Sequence, residues 1–122
     1  MASMQFPLFA LAREYVLVAG SFCPNGNSAV ASSSVRGSGF SVARSDTGTF
    51  TVTFTDAYPE LVAMVPGLQL NSADDKDLQF GAYSSTNKTL VIRVWDYSGT
   101  GAADIDANAN NRISFVCVFR KA

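Results

Sequence analysis

The sequence predicts an all-β domain, an antiparallel β-sandwich of jelly-roll-like character with about seven strands. Three observations predict it. Apolar and polar residues alternate with period two in several separate runs, clusters of Gly, Ser, Asn and Asp punctuate those runs, and no stretch carries a sustained helical period. At 122 residues the chain has the length of one ordinary domain, and nothing in it repeats at the periods of solenoids or propellers.

Residues 15–22 are apolar on both alternating faces, as expected of a strand that is central or covered on its second side. Residues 24–38, rich in Ser, Gly and Ala, read as a long surface loop with a weak strand around residues 29–31. Next comes a hairpin. Gly39-Phe40-Ser41-Val42-Ala43-Arg44 alternates, Ser45-Asp46-Thr47-Gly48 supplies the turn, and Phe50, Val52 and Phe54 face one way while Thr49, Thr51, Thr53 and Thr55 face the other. Residues 61–70 are rich in Leu, Val and Met but contain Pro66-Gly67, which removes a ladder donor and predicts an edge strand or a bulge.

A second hairpin joins residues 78–83 to residues 89–95 through the polar link Ser84-Ser85-Thr86-Asn87-Lys88. The last strand, residues 112–120, sets Ile113, Phe115, Cys117 and Phe119 on one face and Ser114, Val116 and Val118 on the other. It too is apolar on both sides. Before the first strand, residues 1–13 form an apolar N-terminal arm, with a short helix near residues 6–13 left open, and residues 14–122 form the sandwich domain.

Composition narrows the function. Apolar residues make up 48% of the chain and charged residues 16%, against about 25% charged in an average soluble domain, so the exterior must be hydroxylic, amidic or apolar. Such a surface suits packing against partners. The net charge of −1, with no run of Lys or Arg, argues against a nucleic-acid ligand. No stretch approaches the ~20 uninterrupted apolar residues of a membrane-spanning helix. The first twenty residues lack a basic n-region and are interrupted by Arg13 and Glu14, which reads as a product of the cytosol rather than a secreted one. On that reading the Asn87-Lys88-Thr89 triplet has no glycosylation role, and Cys23 and Cys117 are expected to be reduced and semi-buried rather than paired.

The chain contains no His, which removes the commonest general base and the usual partner of a nucleophilic Ser or Cys. The expectation is a protein without enzymatic activity or cofactor. Asp74, Asp75 and Asp77 cluster around Lys76, a pattern best explained by a solvated loop. Asp104-Ile105-Asp106-Ala107-Asn108 opens like a calcium-binding EF-hand loop, but Ala109 stands where that loop needs Gly and Phe115 where it needs a bidentate Glu. An Asx-rich turn entering the last strand is the expected reading. Gly37-Ser38-Gly39 lacks the Lys-Ser/Thr continuation of a phosphate loop. Trp95 and Tyr97 have the chemistry to stack on a sugar while Asp96 accepts hydrogen bonds from its hydroxyls, although packing and interface anchoring explain them more simply.

Two blocks resemble a known group of proteins. One is Gly39-Phe40-Ser41-Val42-Ala43-Arg44 continuing through Gly48-Thr49-Phe50-Thr51-Val52-Thr53-Phe54 to Asp56-Ala57-Tyr58-Pro59-Glu60-Leu61, and the other is Ala109-Asn110-Asn111-Arg112-Ile113-Ser114-Phe115-Val116-Cys117-Val118-Phe119-Arg120. They resemble the capsid cement (decoration) proteins of tailed bacteriophages, cyanophages in particular, with related β-sandwich modules at the tips of tail fibres and tailspikes. The likeness runs from Gly37 to the C-terminus, roughly two-thirds of the chain, as a texture of strands and turns. It implies a homotrimer that is made in the host cytoplasm and sits on the outer capsid of the virion, clamping subunits of the major capsid protein against internal DNA pressure.

With that implication, Val91, Val116 and Val118 are expected to face sister subunits, while Phe50, Leu90, Ile92, Ile113 and Phe115 fill the sandwich. The run Phe6-Pro7-Leu8-Phe9 is expected to act as an arm docking on the capsid or on a neighbouring subunit, the competing reading being a disordered or core-tucked terminus. The alternative function is a receptor-binding tip in which loops such as residues 74–77 or 95–111 hold a host-surface glycan.

Overall fold

A computed structural model describes residues 14–99 and 101–121. Among the described residues nine strands follow one another as β1 (Tyr15–Phe22), β2 (Arg36–Gly37), β3 (Phe40–Asp46), β4 (Thr49–Phe54), β5 (Glu60–Gln69), β6 (Lys76–Ser84), β7 (Thr89–Asp96), β8 (Gly101–Ala102) and β9 (Arg112–Arg120). They form two packed antiparallel sheets. The front sheet has the order β2-β1-β9-β5, and the back sheet has the order β3-β4-β7-β6 with β8 added beside β7. Seven strands are long. The other two, β2 and β8, are two residues each, too short for any alternation to show in sequence.

The seven long strands, read cyclically, follow the two-sheet order of an immunoglobulin-type sandwich with its last strand moved to the front of the chain. One result is that the first and last long strands are neighbours. β1 pairs with β9 along its whole length, and the ladder continues by one bond in which the Lys121 N–H donates to the Glu14 carbonyl at 2.9 Å.

Period-two alternation fills the space between the sheets. Phe50, Val52 and Phe54 from β4 and Leu90, Ile92 and Val94 from β7 meet Ile113, Phe115, Cys117 and Phe119 from β9, and all are buried. The expected core residues Phe50, Leu90, Ile92, Ile113 and Phe115 are therefore all in place. Aromatic rings lock one end of this core. Tyr58 stacks on Phe119 at 4.6 Å, while Phe54 meets Phe119 edge-on at 4.8 Å. Toward the other end, Phe40 packs edge-on against Phe115 and lies directly over Gly20, where a Cβ would fall 2.1 Å from the Phe40 Cζ. Only Gly allows that approach.

β5 is the edge strand of the front sheet, one of the two outcomes expected from Pro66-Gly67; those two residues pair in regular register with Phe115 and Ser114, and the bulge of β5 lies elsewhere, between Leu61 and Ala63. The weak strand expected around residues 29–31 is absent. Side chains divert the backbone there, since the Asn25 amide donates to the Ala29 carbonyl and the Ser34 hydroxyl to the Ala31 carbonyl, and a short 3-10 turn (Ser32–Ser34) leads into β2 instead.

Candidate functional site

The register of the front sheet dictates what its outward face shows. Leu17, Val118 and Ala63 form one row across β1, β9 and β5, and Ala19, Val116 and Val65 form the next. Beyond them the row of Ser21, Ser114 and Gly67 begins to turn polar. Leu17 is 50% exposed, Val65 62% and Val62, at the bulge of β5, 48%. A patch of branched apolar side chains on three adjacent strands is thus open to solvent among the described residues. Large contiguous apolar patches on a folded surface mark places where something else packs. At its near end an ion pair between Arg120 and Glu60, 3.5 Å apart and half exposed, forms a charged rim.

The outward face of the back sheet is of another kind. Its rows are Ser41-Thr53-Thr89 and Ala43-Thr51-Val91, followed by Thr49 beside Arg93. Hydroxyls and a guanidinium dominate. Of the three residues expected to face sister subunits, Val116 and Val118 stand side by side on the apolar front face, whereas Val91 lies on the opposite side of the sandwich, over Gly81. The three do not share one surface. Leu17, Ala19, Ala63 and Val65 take the place beside Val116 and Val118 that sequence reasoning left empty. The signal for Leu17 and Ala19 was present in the two-sided apolar pattern of residues 15–22, while the bulge at Val62 scrambled that pattern in β5. The arm, with Phe6, Pro7, Leu8 and Phe9, lies outside the described residues.

At the other pole of the chemistry, the β5–β6 and β8–β9 links meet around a cavity of about 290 Å³ lined by Asn71, Ser72, Asp74, Asp106, Asn108 and Asn111 among others. These links overlap the two loops expected to serve a glycan-binding tip, residues 74–77 and 95–111, the rest of which falls in β6, β7, β8 and the turn after β7. The Asn111 amide oxygen accepts from the Asn71 N–H at 2.7 Å, and the Asn110 amide donates to the Asn71 side chain at 3.1 Å, so the two loops are tied together. Nearby, the Ser98 N–H donates to Asp75 and the Tyr97 hydroxyl to Asp77, linking the turn after β7 to the same region.

Most carboxylates here already have work. Asp74 is paired with Lys76, whose hydrogen bond holds the Asp74 carboxyl below the usual range and in turn raises the ammonium. Hydrogen bonds from the Ser98 hydroxyl and the Gly99 N–H hold Asp96 low in the same way, and they engage its Oδ1 in the turn after β7. Asp104, the first residue of the EF-hand-like run, receives the Arg44 guanidinium through two hydrogen bonds and the Gly48 N–H through a third. Burial works to raise the Asp104 carboxyl, but these donors outweigh it and keep it below the ordinary carboxylate value. Asn108 accepts from the Asn110 N–H as an Asx turn does. Among the described residues no three His, Cys, Asp or Glu side chains converge as a metal site, and no buried side-chain polar atom lacks a partner.

Both cysteines are free thiols in the structure. Cys117 is buried in the core, while Cys23 is half-buried and accepts a hydrogen bond from Arg112 at 3.1 Å.

No family model, curated protein or solved structure matches this chain.

Proposed function

We propose that this domain is a non-enzymatic structural protein of a virion, a cement protein that trimerises, binds the outer surface of a shell of major capsid protein and stabilises it. The observation that supports this reading most is the apolar outward face of the front sheet, formed by Leu17, Ala19, Ala63, Val65, Val116 and Val118. A weakly charged apolar face on a rigid two-sheet frame favours packing against protein, and assembly sums many such modest contacts over several copies. The resemblance of residues 39–61 and 109–120 to phage decoration proteins supplies the partner.

The test is co-sedimentation of the purified protein with capsids stripped of their decoration, with its mass measured by light scattering. A trimer that saturates the capsids and raises their heat resistance is the expected result. A trimer that saturates the capsids without protecting them removes the stabilising role, and a protein that ignores capsids removes the reading.

A second reading, a glycan-binding tip of a tail fibre or tailspike, is favoured by the cavity where the β5–β6 and β8–β9 links converge. Its amide and carboxylate lining offers the mixed donors and acceptors that sugar hydroxyls use. Binding of host-surface glycans on an array, lost on Asn111→Ala with the fold intact, would support it. An array blank at high protein concentration would end it.

A further inference from the structure

The cavity between the β5–β6 and β8–β9 links is small, and its charges are unevenly committed. A volume of about 290 Å³ stands at the lower end of the roughly 300–1,000 Å³ of ligand pockets, which is room for one ring and its substituents. Among the described residues that line it Lys76 is the one cation, and its ammonium is paired with Asp74. Arg44, which reaches the lining residue Asp104, commits its guanidinium there through two hydrogen bonds. Asp106 is different. Its backbone carbonyl accepts from the Asn111 amide, but its carboxylate has no hydrogen bond or ion pair with any described residue.

Neutral groups complete the wall. The Asn71 side-chain oxygen accepts from the Asn110 amide, which leaves the Asn71 NH2 group free to donate. The Asn108 side-chain oxygen accepts the Asn110 N–H, which leaves the Asn108 NH2 group free in the same way. The Ser72 hydroxyl makes no bond to a described residue. Because the two loops are already tied through Asn71, Asn110 and Asn111, these groups are held in place before a ligand arrives, and the ordering cost of binding falls. Neighbouring hydroxyls on a sugar ring match this set. Each hydroxyl both donates and accepts, a carboxylate accepts from two of them at once, and amide NH2 groups donate to the same oxygens. A ligand carrying its own carboxylate or sulfate would instead meet Asp106 with no uncommitted cation to receive it, and an unpaired charge taken from water is costly.

We infer that this cavity takes the terminal ring of an uncharged sugar, with Asp106 accepting from its hydroxyls and Asn71 and Asn108 donating to them, and that it excludes sugars bearing a carboxylate or a sulfate. The inference rests on the glycan-binding reading and adds the class of glycan. It applies equally to a copy on a capsid and to one at a tail tip.

The experiment applies the full chain to an array that carries each glycan in two forms, one with a neutral galactose, glucose or N-acetylglucosamine end and one with that end capped by sialic acid, glucuronic acid or sulfate. Signal is expected on neutral ends and several-fold less on capped ones. The methyl glycoside of the best neutral end is then titrated into 15N-enriched protein. Amide signals of Asn71, Ser72, Asp106 and Asn108 are expected to shift, while those of Thr51 and Thr53 on the back sheet stay in place. Asp106→Asn, a change at an exposed loop position, should weaken the neutral glycoside by about tenfold or more, as loss of a hydrogen bond to a charged group does. It should also narrow the gap between neutral and capped ends. Equal or stronger signal on capped ends overturns the exclusion and leaves glycan binding standing. Neutral binding that shifts other residues, or that is unchanged in Asp106→Asn, overturns the placement in this cavity and again leaves glycan binding standing. A blank array, from protein whose amide spectrum shows it folded, overturns both together.

Discussion

Arg44 grips Asp104 across the end of the back sheet, its Nε donating to one carboxylate oxygen at 3.2 Å and its Nη2 to the other at 3.0 Å. The same carboxylate accepts the N–H of Gly48, the turn residue of the β3–β4 hairpin, at 2.8 Å. Sixty residues apart in sequence, the hairpin and the β8–β9 link are thereby held as one piece.

This pair sets a pH dependence. The Asp104 carboxyl is held below its ordinary value of 3.8, so its contribution is complete above that value and is lost as pH falls through the lower folded value. Thermal melts should show Asp104→Asn less stable than wild type by a few degrees at neutral pH. The gap should narrow in acid below the ordinary value. An equal gap throughout would remove the ionic part of the argument.

Gly20→Ala places a methyl 2.1 Å from the Phe40 Cζ and 2.3 Å from its Cε1, in overlap with the ring edge. It should cost about 1–3 kcal/mol in chemical denaturation, as overpacking of a close-packed core does. Combining it with Phe40→Leu should recover part of the loss, and the double-mutant cycle measures the coupling. Additive losses would show that the two residues do not compete for one space.

Lys88 is the only non-glycine with positive φ among the described residues, at 62°. A left-handed backbone strains a side chain with a Cβ, so Lys88→Gly should stabilise the β6–β7 hairpin by roughly 0.5–1 kcal/mol after the added freedom of the unfolded chain is subtracted. Urea unfolding midpoints of the two proteins decide the sign.

Burial pushes the Cys117 thiol up to about 11, whereas Cys23 is partly open to solvent. A thiol reagent at neutral pH should label the native protein once, at Cys23, and twice only after denaturation, as read by mass spectrometry. Rapid double labelling of the native protein would mean that β9 opens readily.

On the surface, Val65→Lys should abolish self-assembly in light scattering while leaving the melting temperature nearly unchanged, because the residue is 62% exposed. Val91→Lys, on the opposite sheet, should leave assembly intact. The reverse pattern would move the interface to the back sheet.

Alternation in β4, β7 and β9 made the core legible in advance, because a residue that points inward on a strand does so whatever the strand's neighbours are. The surface was harder to read. Val91, Val116 and Val118 look alike in sequence, yet which sheet a strand joins is decided by pairing between distant segments, and that separated Val91 from the other two. Val62 breaks the rhythm of β5 at a bulge, so the outward position of Val65 was hidden. Asp104 was read as part of an Asx-rich turn, and its ion pair was hidden because its partner, Arg44, lies sixty residues away in the β3–β4 hairpin. The loop cavity was half visible: both links were marked as exposed and polar, but only the fold brings Asn71 to Asn111.

The pairing of β1 with β9 also governs the order of folding. In the back sheet β3 meets β4 and β6 meets β7 through short turns, so that layer can start from local hairpins. The front sheet has no such start. Its strand β9, which pairs with both β1 and β5, emerges from the ribosome after the two of them, so both wait for it with their inward faces uncovered. The back-sheet hairpins can therefore form first, and the apolar strands β1 and β5 stay uncovered at the stage when aggregation competes with completion.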